Sequence, residues 1–304
     1  WDGTQIVAAR VASTRPSVAR ALRGLPAARV LEVVPRLFSL CRHAQGAAAR
    51  LSLQAARAEP VRLDARLDLG LNVALEAIAE HLHHLLISWP QMSGVPCRSN
   101  PGRELAFWRR RLHGAVDATT AAALAGELTT WLDELHSPQF DDLASADAVA
   151  LLPSLSAAGW APRVDGEAFA DLPTVAGQPA ETGVLARHAG QAGVAALLAK
   201  GRRVRARLLA RHAELRWLAQ GLADLTRVGT LVDAATVGEG CGLARVETAR
   251  GTLLHRIELA GDRVGRYLIV APTEWNFHPQ GAFVREITGC PVATHADALL
   301  AAGR

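Results

Sequence analysis

The sequence predicts a mainly helical protein with a small antiparallel β meander, an α+β arrangement, and three observations predict it. Apolar residues recur at helical spacing through most of the chain up to Leu225. Three β-type runs then follow one another, separated by Arg250-Gly251 and Gly261-Asp262. Half of the 304 residues are hydrophobic and a fifth are charged, the composition of a globular chain able to bury a substantial core.

Taken in order, Ile6 to Val11 alternates weakly and predicts a strand. Ser17 to Glu59 predicts two or three helices, with Pro26 and Pro35 as breaks. Val61 to Trp89 reads as one long amphipathic helix, since Leu63, Leu67, Leu71, Leu75 and Leu82 fall at multiples of one or two turns, and Pro90 is expected to end it. After a Gly/Pro/Ser loop from Met92 to Gly102, helices fit Glu104 to His113 and the Ala/Leu-rich Thr119 to His136. Proline, glycine and aspartate make Pro162 to Thr182 irregular, and Val184 to Leu225 reads as the last long helix, with a basic face. The strands expected are Leu243 to Thr248, Thr252 to Leu259 and Val264 to Ala271. No internal repeat is visible.

Charge gives little direction. The formal net charge is +4 and the isoelectric point about 9.3, but Lys200 is the only lysine, so the basic residues are almost all arginine. That bias looks compositional, and a charge of +4 over this length is a weak nucleic-acid signal from which no functional conclusion follows; no nucleic-acid partner is expected. No uninterrupted run of eighteen apolar residues and no secretory signal is present, which predicts a cytoplasmic protein without a membrane span. The chain begins at Trp1 rather than methionine and stops at Arg304 in an alanine-rich stretch, so it reads as a fragment at both ends. Cys41, Cys97, Cys241 and Cys290 form no CxxC pair, which indicates neither a disulfide framework nor a zinc ribbon.

Four segments carry a family resemblance. Arg23 to Gln45, R-G-L-P-A-A-R-V-L-E-V-V-P-R-L-F-S-L-C-R-H-A-Q, resembles the N-terminal metal-site region of [NiFe]-hydrogenase large subunits, L-x-G-R-x-P followed by R-I-C-G-x-C-x-x-x-H. Leu22, Gly24, Arg36 and Cys41 match without a gap. G-Q-P-A-E-T-G-V-L-A-R at Gly177 to Arg187 is similar to G-K-P-x-E-x-G-P-L-A-R. E-T-A-R-G at Glu247 to Gly251 is similar to E-A-P-R-G, and V-A-P-T-E-W-N at Val270 to Asn276 to V-x-P-T-T-W-N. The resemblance implies one large-subunit-like domain over 1–304, a helical bundle with its mostly helical body at 12–228 and the meander and C-terminal segment at 229–304.

The departures are as informative as the matches. In the enzymes, two CxxC pairs hold nickel, and two of those cysteines bridge to an iron carrying cyanide and carbon monoxide. Here Phe38 replaces a nickel-only cysteine and Gln45 a histidine, while the family's proton-relay glutamate falls at Ala19. Phenylalanine cannot replace a soft thiolate, so no nickel is expected. Cys41 matches a bridging, iron-touching cysteine. Arg250 matches the arginine over the diatomic ligands, and Pro272 with Thr273 matches the segment that hydrogen-bonds a cyanide. This pattern resembles the large-subunit-like accessory proteins of the HupK/HoxV type, as does E-W-N-F-H-P-Q-G at Glu274 to Gly281. A second CxxC pair would fall a few residues beyond Arg304.

The remaining candidates read as structural. His43 sits off the family's histidine position and is taken as a surface residue. Glu181 with Arg187 reads as a local ion pair at a helix start, and Trp275 as packing. His81, His83 and His84 cannot share one helical face and read as surface. Cys97, Cys241 and Cys290 lack partners at ligand spacing, although Cys241 in E-G-C-G-L is placed near the matched pocket. Lys200 to Arg211 reads as a solvated basic helix face.

The function implied is a non-catalytic scaffold in hydrogenase maturation that transiently carries, or helps assemble, the Fe(CN)2CO unit. Cys41 is its metal ligand and Arg250, Thr273 and Pro272 hold the cyanides. Its expected partners are maturation chaperones and the hydrogenase large subunit. Two other readings stay open: an active or regulatory hydrogenase subunit with an atypical nickel site, and a metal-free interaction chaperone.

Overall fold

The computed structural model describes residues 1–13, 18–94, 98–115, 117–135 and 147–303; Ser17, Cys97, His136 and Arg304 lie outside them. Three helices open the chain: α1 (Val18–Ala21), α2 (Ala27–Leu37) and α3 (Arg42–Ala56). Pro26 caps α2, as its fixed φ favours, but Pro35 lies inside α2 near its end rather than breaking it. The strand expected over Ile6–Val11 does not form. Ile6 instead exchanges backbone hydrogen bonds with Gly289 and Cys290, and only Gln5 and Pro291 make a β-bridge. One weak alternation without a neighbouring strand is too little to build a ladder.

The long helix α4 runs from Leu63 to His83 and buries Leu71, Ala74, Ile78 and Leu82, whereas Leu63 is exposed. Pro90 does not end it. A π-helical turn over His84–Ser88 leads into α5 (Trp89–Ser93), with Trp89 N–H bonded to the His84 carbonyl; Pro90 occupies the first turn of α5, where its missing N–H has no cost. Gly94, in the left-handed region at φ 70°, ends the segment. Then come α6 (Pro101–Gly114) and α7 (Ala118–Glu134), the latter opened by a reciprocal Asp117–Thr120 capping box.

The irregular middle holds β1 (Ala150–Leu151), α8 (Ala157–Trp160), α9 (Glu167–Asp171) and β2 (Ala180–Glu181), β1 pairing in parallel with β2. The single helix expected from Val184 is broken at Gly190 and Gly201 into α10 (Val184–His188), α11 (Ala192–Ala199) and α12 (Arg203–Ala223), with α13 (Leu225–Val228) after it. The meander has four strands in sequence order, β3 (Val232–Gly238), β4 (Cys241–Thr248), β5 (Gly251–Ala260) and β6 (Arg263–Val270), all antiparallel. Its first strand, V-D-A-A-T-V-G, carries Asp233 and two alanines in succession, residue types depleted in strands, and is not among the three strands expected. The chain ends in α14 (Pro272–Asn276), α15 (Ala282–Ile287) and α16 (His295–Gly303). Among the described residues no helix is long and apolar enough to cross a membrane.

Both faces of the sheet are covered. Leu243, Leu254 and Leu268 pack with Trp160 and Trp275 on one side, while Ala244, Val246 and Leu253 face the helical core. On the helical side α3 lies directly on β4. A Cβ at Gly242 would stand 2.2 Å from the Ser52 carbonyl oxygen and 2.3 Å from the Ala56 nitrogen. We therefore expect Gly242→Ala to lower stability by about 2–3 kcal/mol, because helix and sheet must separate. At exposed Gly126 in α7, where a Cβ meets nothing, Ala is expected to raise it by up to about 1 kcal/mol. Urea midpoints of the two variants check both.

Candidate functional site

Where α4, the α2–α3 junction, α12, the β4–β5 turn and the start of α14 come together, the chain forms a cavity of about 1580 Å³ that is partly open to solvent. α4 contributes Asn72, Glu76, Glu80 and His83, residues three or four apart and hence on one face. The β4–β5 turn contributes Arg250, and α14 contributes Thr273 and Asn276.

Three of the motif segments meet here, although they lie tens of residues apart in the chain. Asn276 ties them together: its side-chain oxygen accepts from the Thr182 N–H at 2.9 Å and its amide donates to the Arg250 carbonyl at 3.2 Å. The Thr182 hydroxyl bonds Thr252 and accepts the Thr252 N–H at 3.0 Å. Gly251 makes the approach possible; at φ 131° its missing Cβ would stand 2.3 Å from the Thr182 methyl. Thr248 Oγ1 accepts from the N–H groups of Arg250 and Gly251, closing the turn.

The Arg250 side chain reaches Glu80, with Nη2 2.9 and 3.0 Å from its two carboxylate oxygens. Pro272 is buried at the first position of α14, and Thr273 follows it into the cavity wall. The Thr273 hydroxyl oxygen is buried without a hydrogen-bond partner among the described residues. A buried polar atom left without a partner costs roughly 1–3 kcal/mol, which a hydrogen-bonding group reaching this hydroxyl would relieve.

Cys41 is the N-cap residue of α3, half-buried, between the cavity-lining Leu40 and Arg42. Burial pushes its thiol up, and Glu76 adds to this, while Arg250 and a hydrogen bond from Gln45 act in the opposite sense. Arg250 thus lies within electrostatic reach of the thiol. Glu76 accepts the N–H groups of His43 and Ala44 at 2.8 and 3.1 Å, so it caps α3 from outside. Burial raises its carboxyl to about 7.

The two replaced positions are absorbed into the structure. Phe38 packs against the apolar cluster of Val30, Val34 and Leu53. Gln45 is buried and accepts from His255 Nε2 at 2.9 Å, while Tyr267 Oη sits 2.7 Å from His255 Nδ1. Burial draws His255 down to about 3, so this chain is neutral.

Several residues expected at the surface are inside. His81 is fully buried, and His84 is drawn down to about 3 by burial. Glu181 and Arg187 do not pair with each other. Arg187 binds Glu214 at 2.7 Å and Glu247 at 2.9 Å, and His188 joins Glu214 at 2.5 Å. Glu181 binds Arg203 and Arg207 at 2.6 and 2.7 Å, and Glu286 of α15 binds the same two arginines. The basic face of α12 is therefore turned inward onto carboxylates from distant segments. His43 is exposed, as expected. Cys241, at the start of β4, stands at the opposite end of that strand from Arg250, away from the cavity, whereas Cys290 lines it.

Among the described residues Cys41, Cys241 and Cys290 are free thiols, and no group of three or more His, Cys, Asp or Glu side chains could hold a bare metal ion. Arg250 and Thr273 line the cavity; Cys41 does not, although Arg250 acts electrostatically on its thiol. Donors of this kind with a single thiol fit an iron already carrying its own diatomic ligands, which needs few protein ligands.

This architecture is the large-subunit fold of nickel–iron hydrogenases. The chain superimposes on the Ni-Fe-Se hydrogenase of Desulfovibrio vulgaris Hildenborough with a TM-score of 0.70 at 15% identity, covering 100% of this chain and 92% of that one. For the Ni-Fe-Se hydrogenase of Desulfomicrobium baculatum the values are 0.71, 16%, 100% and 93%. Identities this low speak for the fold alone. No protein-family model matches the chain. It is 33% identical over 310 residues to the hydrogenase expression/formation protein HupK of Bradyrhizobium diazoefficiens, covering 92% of this chain and 83% of that protein. It is 34% identical to HoxV of Cupriavidus necator, over 90% and 82% of the two chains, and 33% identical to HupK of Azotobacter vinelandii, over 98% and 91%. The chain belongs to the HupK/HoxV family of hydrogenase expression/formation proteins.

Proposed function

We propose that this protein serves hydrogenase maturation as a non-catalytic scaffold that holds the Fe(CN)2CO unit before its transfer to the hydrogenase large subunit. The observation that carries the reading is the Thr273 hydroxyl, buried and unpartnered in the lining of a cavity that Arg250 also lines. In this reading Cys41 ligates the iron as thiolate. Arg250 and Thr273 donate to cyanide nitrogens, and Pro272 fixes the first turn of α14 that presents Thr273. Asn276 holds the Arg250 turn and α14 in register.

The replaced positions support a scaffold over a hydrogen-converting enzyme. Phe38 is committed to a hydrophobic cluster, the Gln45–His255–Tyr267 chain is neutral, and Ala19 packs against the same cluster as Phe38. The partners are maturation chaperones and the large subunit; Leu40 and Phe277, 72% and 49% exposed at the cavity, give them an apolar surface to meet. The setting proposed is the cytoplasm.

Metal analysis tests this. Full chain purified anaerobically from a host with intact maturation genes is expected to contain stoichiometric iron and no nickel. Stoichiometric nickel would overturn the scaffold in favour of an atypical nickel site.

A further inference from the structure

α12 presents three arginines at successive turns, Arg203, Arg207 and Arg211, and all three line the cavity. The first two meet carboxylates through the same edge of the guanidinium, the one formed by Nε and Nη2. Arg207 sets Nε and Nη2 on Glu181 at 2.7 and 2.8 Å, and Arg203 sets Nε on Glu286 at 2.8 Å and Nη2 on Glu181 at 2.6 Å. Arg187, on α10, uses that edge on Glu214.

Arg211 breaks the pattern. Its hydrogen bond runs from Nη1 to the ring nitrogen Nδ1 of His81 at 2.8 Å, and its Nε is buried without a partner. No carboxylate among the described residues makes an ion pair with it. Glu80 and Glu214 favour its charge only at a distance, and burial outweighs them, drawing the guanidinium down to about 10. The carboxylates around it are already committed: Glu80 to Arg250, Glu214 to Arg187 and His188, Glu181 and Glu286 to Arg203 and Arg207.

A buried guanidinium with its two-donor edge bare is an unfavourable arrangement in a folded chain, and an anion with two oxygens on one centre corrects it. We propose that Arg211 anchors a binding position for a small oxyanion of the carboxylate, bicarbonate or phosphate type, received through its Nε and Nη2 edge inside the cavity. The position does not depend on the iron assignment. It uses a different wall, α12 in place of the β4–β5 turn and α14, and it is present in the metal-free chain.

Calorimetric titration of the metal-free full chain with bicarbonate, acetate and inorganic phosphate, at constant ionic strength set with chloride, tests it. Saturable one-site binding is expected for the wild type, weakened about tenfold or more in Arg211→Met and to a lesser degree in Arg211→Lys, which keeps the charge but loses the fork. Arg109→Met, on the same cavity lining, is expected to bind as the wild type does. Circular dichroism shows whether each variant is folded. If Arg211→Met does not fold, the wild type and Arg211→Lys decide. Absence of saturable binding by all three anions to the wild type overturns the proposal, as does unweakened binding by folded Arg211→Met. Iron content plays no part in the readout, so either assignment can fail without the other.

Discussion

Replacing Cys41 by alanine is expected to abolish iron retention while leaving the chain folded. On the proposed reading Cys41 supplies the one thiolate that ties the iron unit to the protein, and neither hydrogen bonds from Arg250 nor one from Thr273 can substitute for a metal–sulfur bond. The fold has little stake in this thiol. Cys41 is half-buried, makes no side-chain cap bond, and is followed by a helix whose first turn is already capped by Glu76. We therefore expect a stability change within about 1 kcal/mol, read from urea midpoints, together with iron at background level in anaerobic preparations. Full iron in the alanine variant would sink the assignment of Cys41.

The largest effect expected on stability is at Glu214. Its carboxylate is 2% exposed and receives Nε and Nη2 of Arg187 at 3.1 and 2.7 Å and the His188 ring at 2.5 Å. Glu214→Ala leaves the guanidinium with Glu247 and the Thr248 carbonyl and takes the acceptor from His188 Nε2, a loss on the order of 3–5 kcal/mol for breaking a buried pair from one side. Burial opposes ionisation of Glu214, but Arg187 and the hydrogen bond from His188 outweigh it and hold the carboxyl well below the usual range. A carboxyl depressed in the folded state contributes stability that is complete above its unfolded value, near 4.5, and is lost as pH falls toward the folded one. Glu214→Gln should therefore differ from wild type by more at pH 7 than at pH 3. Equal differences at the two pH values would show that the carboxylate charge adds nothing.

How far the fold can be read from the residues depends on whether the decisive interactions are local. Cap, spacing and turn signals are local, so α6, α7, β4, β5 and β6 fall within a few residues of expectation. Pro90 misleads because a π turn ahead of it places the proline in a new first turn, where it needs no donor. The strand β3 is hidden by its alanines and takes its place from pairing with β4. Arg203 and Arg207 read as a solvated helix face and Glu181 as the local partner of Arg187 because their true partners lie far off in the chain. Arg203 and Glu286 are brought together only when α15 folds back on α12.

The site divides along the same line. Arg250, Thr273 and Cys41 are visible because each sits in a segment whose spacing resembles a known metal site. Glu80, which receives Arg250, and Arg211 lie on helices with no such spacing. The signal at Glu80 is a polar stripe, Asn72, Glu76, Glu80 and His83, at three- and four-residue spacing along a leucine- and alanine-rich helix. That pattern identifies a face turned toward something polar without saying what.

An infrared spectrum of the full chain, purified anaerobically from a host with intact maturation genes, tests the central claim most directly. The scaffold assignment predicts stretching bands of metal-bound cyanide and carbon monoxide, present in the wild type and absent from Cys41→Ala. A wild-type protein with neither band would contradict it and leave a metal-free interaction protein built on the large-subunit fold.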